Sequence, residues 1–186
     1  MAQFERFPQL ETDRLVLREM TLDDAGFYFH HFNKDEIVEG CCFAGPASLK
    51  EAKEELERYC IRPFRGGLGI RWGIGRRGSG DLIGTCGYYD WNRTMRKAEI
   101  GYDLDPAYWG SGIMTEALQA ILKYGFERLN LNRIQAIIDS KNTRSIKLVQ
   151  RLGFKNEGVF RQNSYFKGQF RDDAVFSLLK HEWTKS

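Results

Sequence analysis

The sequence predicts an α+β fold, a mixed and mostly antiparallel sheet of about seven strands with about four helices on its faces. Three observations lead there. Three β-rich runs follow one another through links of hairpin length. Elsewhere strand-like and helix-like runs alternate in mixed order. No internal repeat or linker interrupts the chain, so its 186 residues are read as one domain spanning 1–186.

The elements follow in order. Leu15, Leu17 and Met20 alternate with charged neighbours in TDRLVLREM, a period near two that predicts a half-buried first strand. TLDDAGFYFHHF then reads as a helix, with Thr21 as its N-cap and aspartates in the first turn, where the positive end of the helix dipole favours them. His30 and His31 are adjacent, point in different directions on a helix and read as a surface pair. EGCCFAGPA reads as loop. SLKE, from Ser48, matches a capping box opening the amphipathic helix AKEELERYCIRPF, which is expected to stop near Pro63. LGIRWGIGRR, DLIGTCGYYDWN and MRKAEIGYDLD, linked by GSG and NRT, form an antiparallel meander. Ile113, Ala117, Ala120, Ile121 and Tyr124 fall at helical spacing in GIMTEALQAILKYGFERLN. NRIQAIIDS supplies a strand, NTRSIKLVQRLGF a short helix closed by Gly153, and two terminal strands pair around KGQ.

Composition narrows the function. Apolar residues make up 42% and charged residues 28%, which is ordinary globular usage. The net charge of +3 is not gathered into a basic stripe, so no direct nucleic-acid partner is expected, and an anionic small molecule accounts for the surplus. No apolar run reaches the roughly 18 residues of a membrane span, and the amino-terminal segment lacks a signal-peptide core. A cytoplasmic protein without membrane contact is expected. Cys41, Cys42, Cys60 and Cys86 form no C-x-x-C pair and the three histidines have no ligand spacing, so neither a disulfide nor a metal is expected.

The chemistry concentrates in LDPAYWGSGIMTEAL. Gly110 and Gly112 stand where a helix must begin, although glycine is the costliest ordinary residue to order. They supply positive φ to a tight turn, or they clear side chains so that unpaired helix N–H groups can close on a phosphate. A Rossmann loop requires a third glycine and a P-loop a Gly-Lys pair, and neither follows.

Four pieces in order resemble the GNAT superfamily of N-acetyltransferases, in its branch of ribosomal-protein-alanine acetyltransferases (RimJ/RimL-like): ETDRLVLREMTLDDA, AEIGYDLDPAYWGSGIMTEAL, NTRSIKLVQRLGF and GVFRQNSYFKGQFRDDAVFSLLKHEW. The resemblance implies that acetyl-coenzyme A (acetyl-CoA) lies where the fourth strand splays from the fifth. It places the pantetheine arm on the fourth strand near Tyr102 and Leu104, and the pyrophosphate on Trp109, Gly110, Ser111, Gly112, Ile113, Met114 and Thr115. Asn142 and Ser145 fall beside the amide and sulfur end. The chain departs from the pattern twice: Ala107 stands where Arg or Gln is usual, and Val149 where many members carry the tyrosine that protonates departing coenzyme A.

By this resemblance the partners are acetyl-CoA and a primary amine, either a peptide amino terminus or a small amine, and a homodimer is left open. Roughly a tenth of an α-amine is neutral at pH 7, against roughly one lysine in 2500, so an α-amine asks little of a base. A thiol also leaves with little proton assistance, which lets Ser145 or water replace the missing tyrosine. Glu99 is the candidate base, acting through a water, with a solvated or salt-bridged strand glutamate as the equal alternative. Asp172 and Asp173 read as turn-edge residues, with the acceptor's amino group as their other assignment, and Tyr165 reads as core, with the acceptor slot as the alternative. Arg144, Lys147 and Arg151 read as a solvated helix face, with the cofactor's 3′-phosphate as the other assignment. A small-amine acetyltransferase and a non-catalytic acyl-CoA-binding module are the rival functions.

Overall fold

The computed structural model describes residues 6–183. Its sheet has eight strands: β1 (Leu10–Glu11), β2 (Leu15–Glu19), β3 (Ile70–Arg76), β4 (Leu82–Asn92), β5 (Lys97–Leu104), β6 (Arg133–Asp139), β7 (Lys155–Phe166) and β8 (Gln169–Leu179). Their spatial order is β1-β2-β3-β4-β5-β6-β8-β7. Every neighbouring pair is antiparallel except β5 with β6. The meander of β3, β4 and β5 and the terminal hairpin are as the sequence predicts, the hairpin turning on Lys167 and Gly168 at φ of +47° and +80°. The strand beyond the expected seven is β1, whose two residues are too few to show a period.

Six α-helical segments cover the sheet: α1 (Ala25–Phe32), α2 (Asp35–Cys41), α3 (Leu49–Leu56), α4 (Arg62–Gly66), α5 (Ile113–Glu127) and α6 (Thr143–Arg151). Ser48 caps α3 by accepting the Glu51 N–H at 3.2 Å, and the Glu51 carboxylate accepts the Ala47 N–H at 2.7 Å, so SLKE is a working cap. Two expectations fail nearby. The second helix does not stop at Pro63, because a π-helical turn over Glu57–Ile61 carries α3 into α4, with Pro63 just after the junction. The helix ends at Gly67, at φ +68°. Part of the stretch expected as loop is α2, closed by Cys42 in the left-handed conformation at φ +50°.

The larger core lies where α5 packs on the sheet: Leu118, Ile121 and Phe126 of the helix and Trp72, Ile74 and Ile134 of the strands are wholly buried. Each such side chain contributes about 1.5–3 kcal/mol relative to exposure. A second cluster, with Tyr28, Ile37, Ala52 and Leu56, holds α1, α2 and α3 together.

β5 and β6 pair only at Lys97, Ala98 and Glu99. Beyond that rung each strand keeps its other neighbour to the end, β5 pairing with β4 through Leu104 and β6 with β8 through Asp139. The two halves of the sheet therefore diverge as a V, at the place the resemblance implies; the strands are fifth and sixth here because β1 adds one.

A buried polar cluster stands on the β5 wall of that V. Asp103, 5% exposed, accepts hydrogen bonds from His31 Nε2 at 2.7 Å, Arg71 at 2.6 Å, the Thr85 hydroxyl at 2.6 Å and the Thr85 N–H at 3.0 Å. His31 is thus not a surface residue: it is 2% exposed and ties α1 to β5, a partnership no local pattern announces across 72 residues. Burial pushes the Asp103 carboxyl up, but His31, Arg71 and Thr85 outweigh it and hold it below the usual carboxylate range. With a folded pKa below the unfolded one, Asp103 stabilises the protein above the ordinary carboxylate range, and that contribution is lost as pH falls through the folded value. Asp103→Asn should cost about 3–5 kcal/mol at pH 7, because it strands Arg71 in the interior. Urea unfolding should show this penalty shrinking towards pH 3 and below; an equal penalty at all pH values would contradict the ionic account.

Candidate active site

The V opens into a cavity of about 630 Å³, walled by β5 at Tyr102, Asp103 and Leu104, by α6 and by the end of β6, with α2 across its mouth and the start of α5 at its end. Of the residues singled out in the sequence, Tyr102, Leu104, Trp109, Gly110, Gly112, Ile113, Met114, Thr115, Asn142 and Ser145 line it. Ser111 and Glu99 are not in the lining.

The α5 end is an arrangement of free donors. Gly112 is the N-cap, and the first intrahelical bond runs from Glu116 N–H to its carbonyl at 3.1 Å, so the N–H groups of the first turn have no intrahelical acceptor. Gly110 and Gly112 have φ of +76° and +78°, the left-handed region that L side chains rarely adopt. A Cβ on Gly110 would meet nothing within 4 Å, and one on Gly112 would meet only Arg14 at 3.5 Å. Backbone conformation therefore demands the glycines, and their bareness leaves the amides accessible; the two sequence readings are compatible. Ser111 turns away: its hydroxyl donates to the Tyr108 carbonyl at 2.5 Å and its carbonyl accepts from Arg14 at 3.0 Å.

Sequence reasoning missed what holds this turn. Glu116, in the first turn of α5, accepts from Thr12 at 2.6 Å, from the Arg14 N–H at 3.0 Å and from Arg14 Nε at 2.6 Å. These bonds outweigh partial burial and hold its carboxyl below the usual range. The only local signal is an acidic residue near a helix start.

On the opposite wall Asn142 caps α6, accepting the Ser145 N–H at 3.1 Å and donating to the Gly40 carbonyl of α2 at 3.2 Å. The N-x-x-S spacing is thus a helix cap that also brings Ser145 to the cavity. The Tyr102 hydroxyl crosses from β5 to donate to the Ser145 carbonyl at 3.4 Å, and burial raises that phenol to about 12. Val149 is wholly buried and absent from the lining. Arg144 and Arg151 line the cavity whereas Lys147 does not, and the Arg144 guanidinium lies 3.2 Å from the centroid of the Trp109 ring. Trp109 in turn donates its indole N–H to the Leu104 carbonyl at 2.7 Å.

Glu99 sits at the vertex of the V, on the last β5–β6 rung opposite Gln135, and is 7% exposed. Burial raises its pKa, while the Tyr89 hydroxyl and Gln135 Nε2, the latter at 3.0 Å, donate to its two oxygens and pull it back. No salt bridge reaches it among the described residues, so the salt-bridged alternative does not hold.

The mouth is framed by α2 and the terminal hairpin. Arg171 donates to Asp139 and Glu39, both at 2.7 Å, and Lys167 reaches Glu39 at 3.3 Å. Asp172 and Asp173 lie away from the hairpin turn: Asp172 accepts the Gln162 N–H at 2.8 Å and Asp173 accepts from Asn163 at 2.9 Å and Ser164 at 3.2 Å, bracing a bulge of β7. Tyr165, expected in the core, is 64% exposed on this edge strand and packs on Phe170 with ring centroids 4.9 Å apart. On an edge strand a period of two marks faces without saying that either is covered. Among the described residues no group of His, Cys, Asp and Glu is placed to hold a metal ion, and no helix is long and apolar enough to cross a membrane.

Comparison with known proteins agrees with this geometry. Residues 14–155 match the family described as "Acetyltransferase (GNAT) domain". The chain is 38% identical over 174 residues to the uncharacterized N-acetyltransferase YoaA of Bacillus subtilis (strain 168), covering 94% of this chain and 98% of that protein. It is 29% identical over 184 residues to the [ribosomal protein uS5]-alanine N-acetyltransferase of Escherichia coli (strain K12), covering 95% and 93%. The crystal structure of spermidine N-acetyltransferase from Vibrio cholerae in complex with CoA and spermine shares the fold at a TM-score of 0.81 and 23% identity, covering 92% and 98%. With its sheet parted between β5 and β6 and its glycine turn opening α5, the chain belongs to the GNAT family of acetyl-CoA-dependent N-acetyltransferases.

Proposed function

We propose that this protein transfers the acetyl group of acetyl-CoA to the α-amine of a protein amino terminus, by direct attack with both partners bound. The observation that carries the reading is the continuity of the V with the start of α5: a strand edge without a partner leads into a turn of unpaired N–H groups. Those donors suit an extended, amide-bearing thioester arm joined to a pyrophosphate. Arg144 and Arg151 add positive charge on the α6 side of the cavity. Bound there, acetyl-CoA supplies the activated acetyl group.

In this reading the main chain at Tyr102 and Leu104 pairs with the pantetheine arm, and Trp109 to Thr115 hold the pyrophosphate, Ser111 through its N–H alone because its hydroxyl and carbonyl are engaged. Asn142 fixes the first turn of α6 and so presents Ser145, whose hydroxyl donates towards the departing sulfur. Val149 offers no proton, and a thiol leaving group needs little. Glu99, through a water, takes the proton that the amine loses. Its two positioned hydrogen bonds and raised pKa favour a proton-accepting role over a merely solvated one. The four thiols without disulfide partners suit a reducing, cytoplasmic setting.

The α-amine acceptor is favoured by the full-length likeness to the uS5-alanine enzyme and by the low demand an α-amine makes of its base. A polyamine is the competing acceptor, but the likeness to the spermine-bound enzyme, at 23% identity, speaks for the fold alone. Following thiol release with peptides bearing free amino termini against polyamines, amino acids and aminoglycosides should give the highest kcat/KM for a peptide. Peptides inert beside an active polyamine would overturn the acceptor assignment, and cofactor binding without turnover of any amine would overturn the enzymatic one. Ser145→Ala should lower kcat about 10- to 100-fold with the calorimetric Kd for acetyl-CoA unchanged; an unaltered kcat would remove Ser145 from the reaction.

A further inference from the structure

Glu99 is held by two donors from different strands, and the more distant in character is Tyr89. This tyrosine lies on β4 opposite Glu99 in the register, is 40% exposed and donates its hydroxyl to Glu99 Oε1, while Gln135 on β6 donates to Oε2 at 3.0 Å. Each carboxylate oxygen then keeps a further acceptor site, so the group is fixed without being used up. The tyrosine reaches it because the intervening position is bare: a Cβ on Gly101 would lie 2.9 Å from Tyr89 Cε1 and 3.1 Å from a terminal nitrogen of Arg71. An alanine there would collide with a ring carbon and not with the free end of a flexible chain.

We propose that Tyr89 is a positioning residue for the general base, its hydroxyl setting both the orientation of the Glu99 carboxylate and the pH at which that carboxylate becomes competent. The proposal rests on the assignment of Glu99 as base. It explains an otherwise unexplained trio: a half-exposed aromatic, a buried acid and a glycine spaced to let them meet. The surrounding groups act in known directions. Burial disfavours the ionised acid, and so do Asp90, next to Tyr89 on β4, and Asp173 on β8. Arg71 on β3 acts on Tyr89 and lowers the phenol's pKa, but burial and Glu99 outweigh it, so the tyrosine stays protonated as a donor. Against those carboxylates, the bonds from Tyr89 and Gln135 are what favour ionisation of Glu99.

The test is the pH dependence of kcat/KM for acetyl transfer, calculated on the concentration of unprotonated acceptor so that the amine's own ionisation, which also lowers activity as pH falls, is divided out. In wild type the base gives a limb on which activity falls with falling pH. Tyr89→Phe removes a donor to the charged form, so this limb should move to higher pH by about one unit, with the calorimetric Kd for acetyl-CoA unchanged. Gly101→Ala keeps the hydroxyl but displaces the ring, and should move the limb in the same direction. Glu99→Gln should abolish the limb. If Glu99→Gln abolishes it and Tyr89→Phe leaves it where it was, the positioning role is overturned and the base stands. If the limb survives in Glu99→Gln, the base assignment itself falls. Should Tyr89→Phe fail to give the wild-type circular dichroism spectrum, Gly101→Ala decides alone: a limb left in place overturns the proposal.

Discussion

The structure depends on one parting of main chains. After Glu99, β5 and β6 stop pairing although each continues for several residues against its other neighbour. A strand edge normally exposes unpaired donors and acceptors as a liability, and proteins cover or pair them. Here the exposed edge faces inward across a cavity, flanked by α5 and α6, where Trp109 takes up the Leu104 carbonyl and a molecule entering the V can pair with the rest. The helix starts complete the arrangement: α5 turns its first amides to the same space, and α6 is capped by a residue that also reaches α2.

Charge is distributed unevenly along that space. The guanidinium groups of Arg144 and Arg151 stand on the α6 wall, while the carboxylates of Asp35, Glu36 and Glu39 stand at the α2 mouth. Positive charge on the α6 side therefore suits an anion, whereas the α2 mouth carries both signs, Glu39 being paired with Arg171 and Lys167. Two acids on the same strand meet opposite fates. Asp103, surrounded by Arg71, His31 and Thr85, is kept ionised and serves packing. Glu99, four residues earlier and without a cationic partner among the described residues, is pushed towards neutrality by its burial.

Much of this was legible in the residues, and the remainder was hidden for physical reasons. Periodicity disclosed the meander, α5 and the terminal hairpin because those elements each bury one face. The glycine pair was legible because positive φ at a helix start restricts residue choice severely. The continuation of the second helix past Pro63 was not, since a π-helical turn leaves no compositional trace. His31 and Glu116 were misread or passed over because their partners lie 72 and about 100 residues away in the chain, and only the tertiary fold creates those hydrogen bonds. Tyr165 misled for the opposite reason: its run has the period of a buried strand, but it lies on the edge strand, 64% exposed among the described residues.

As proposed, the unpaired edge of β5 and the first amides of α5 together receive the acetyl donor. Amide hydrogen exchange with and without coenzyme A, read residue by residue, decides this. Binding should slow exchange in the β5 segment from 100 to 104 and in the turn from 110 to 115, with β8 and α3 unchanged. Saturating coenzyme A that binds yet leaves both segments exchanging at their free rates would contradict it.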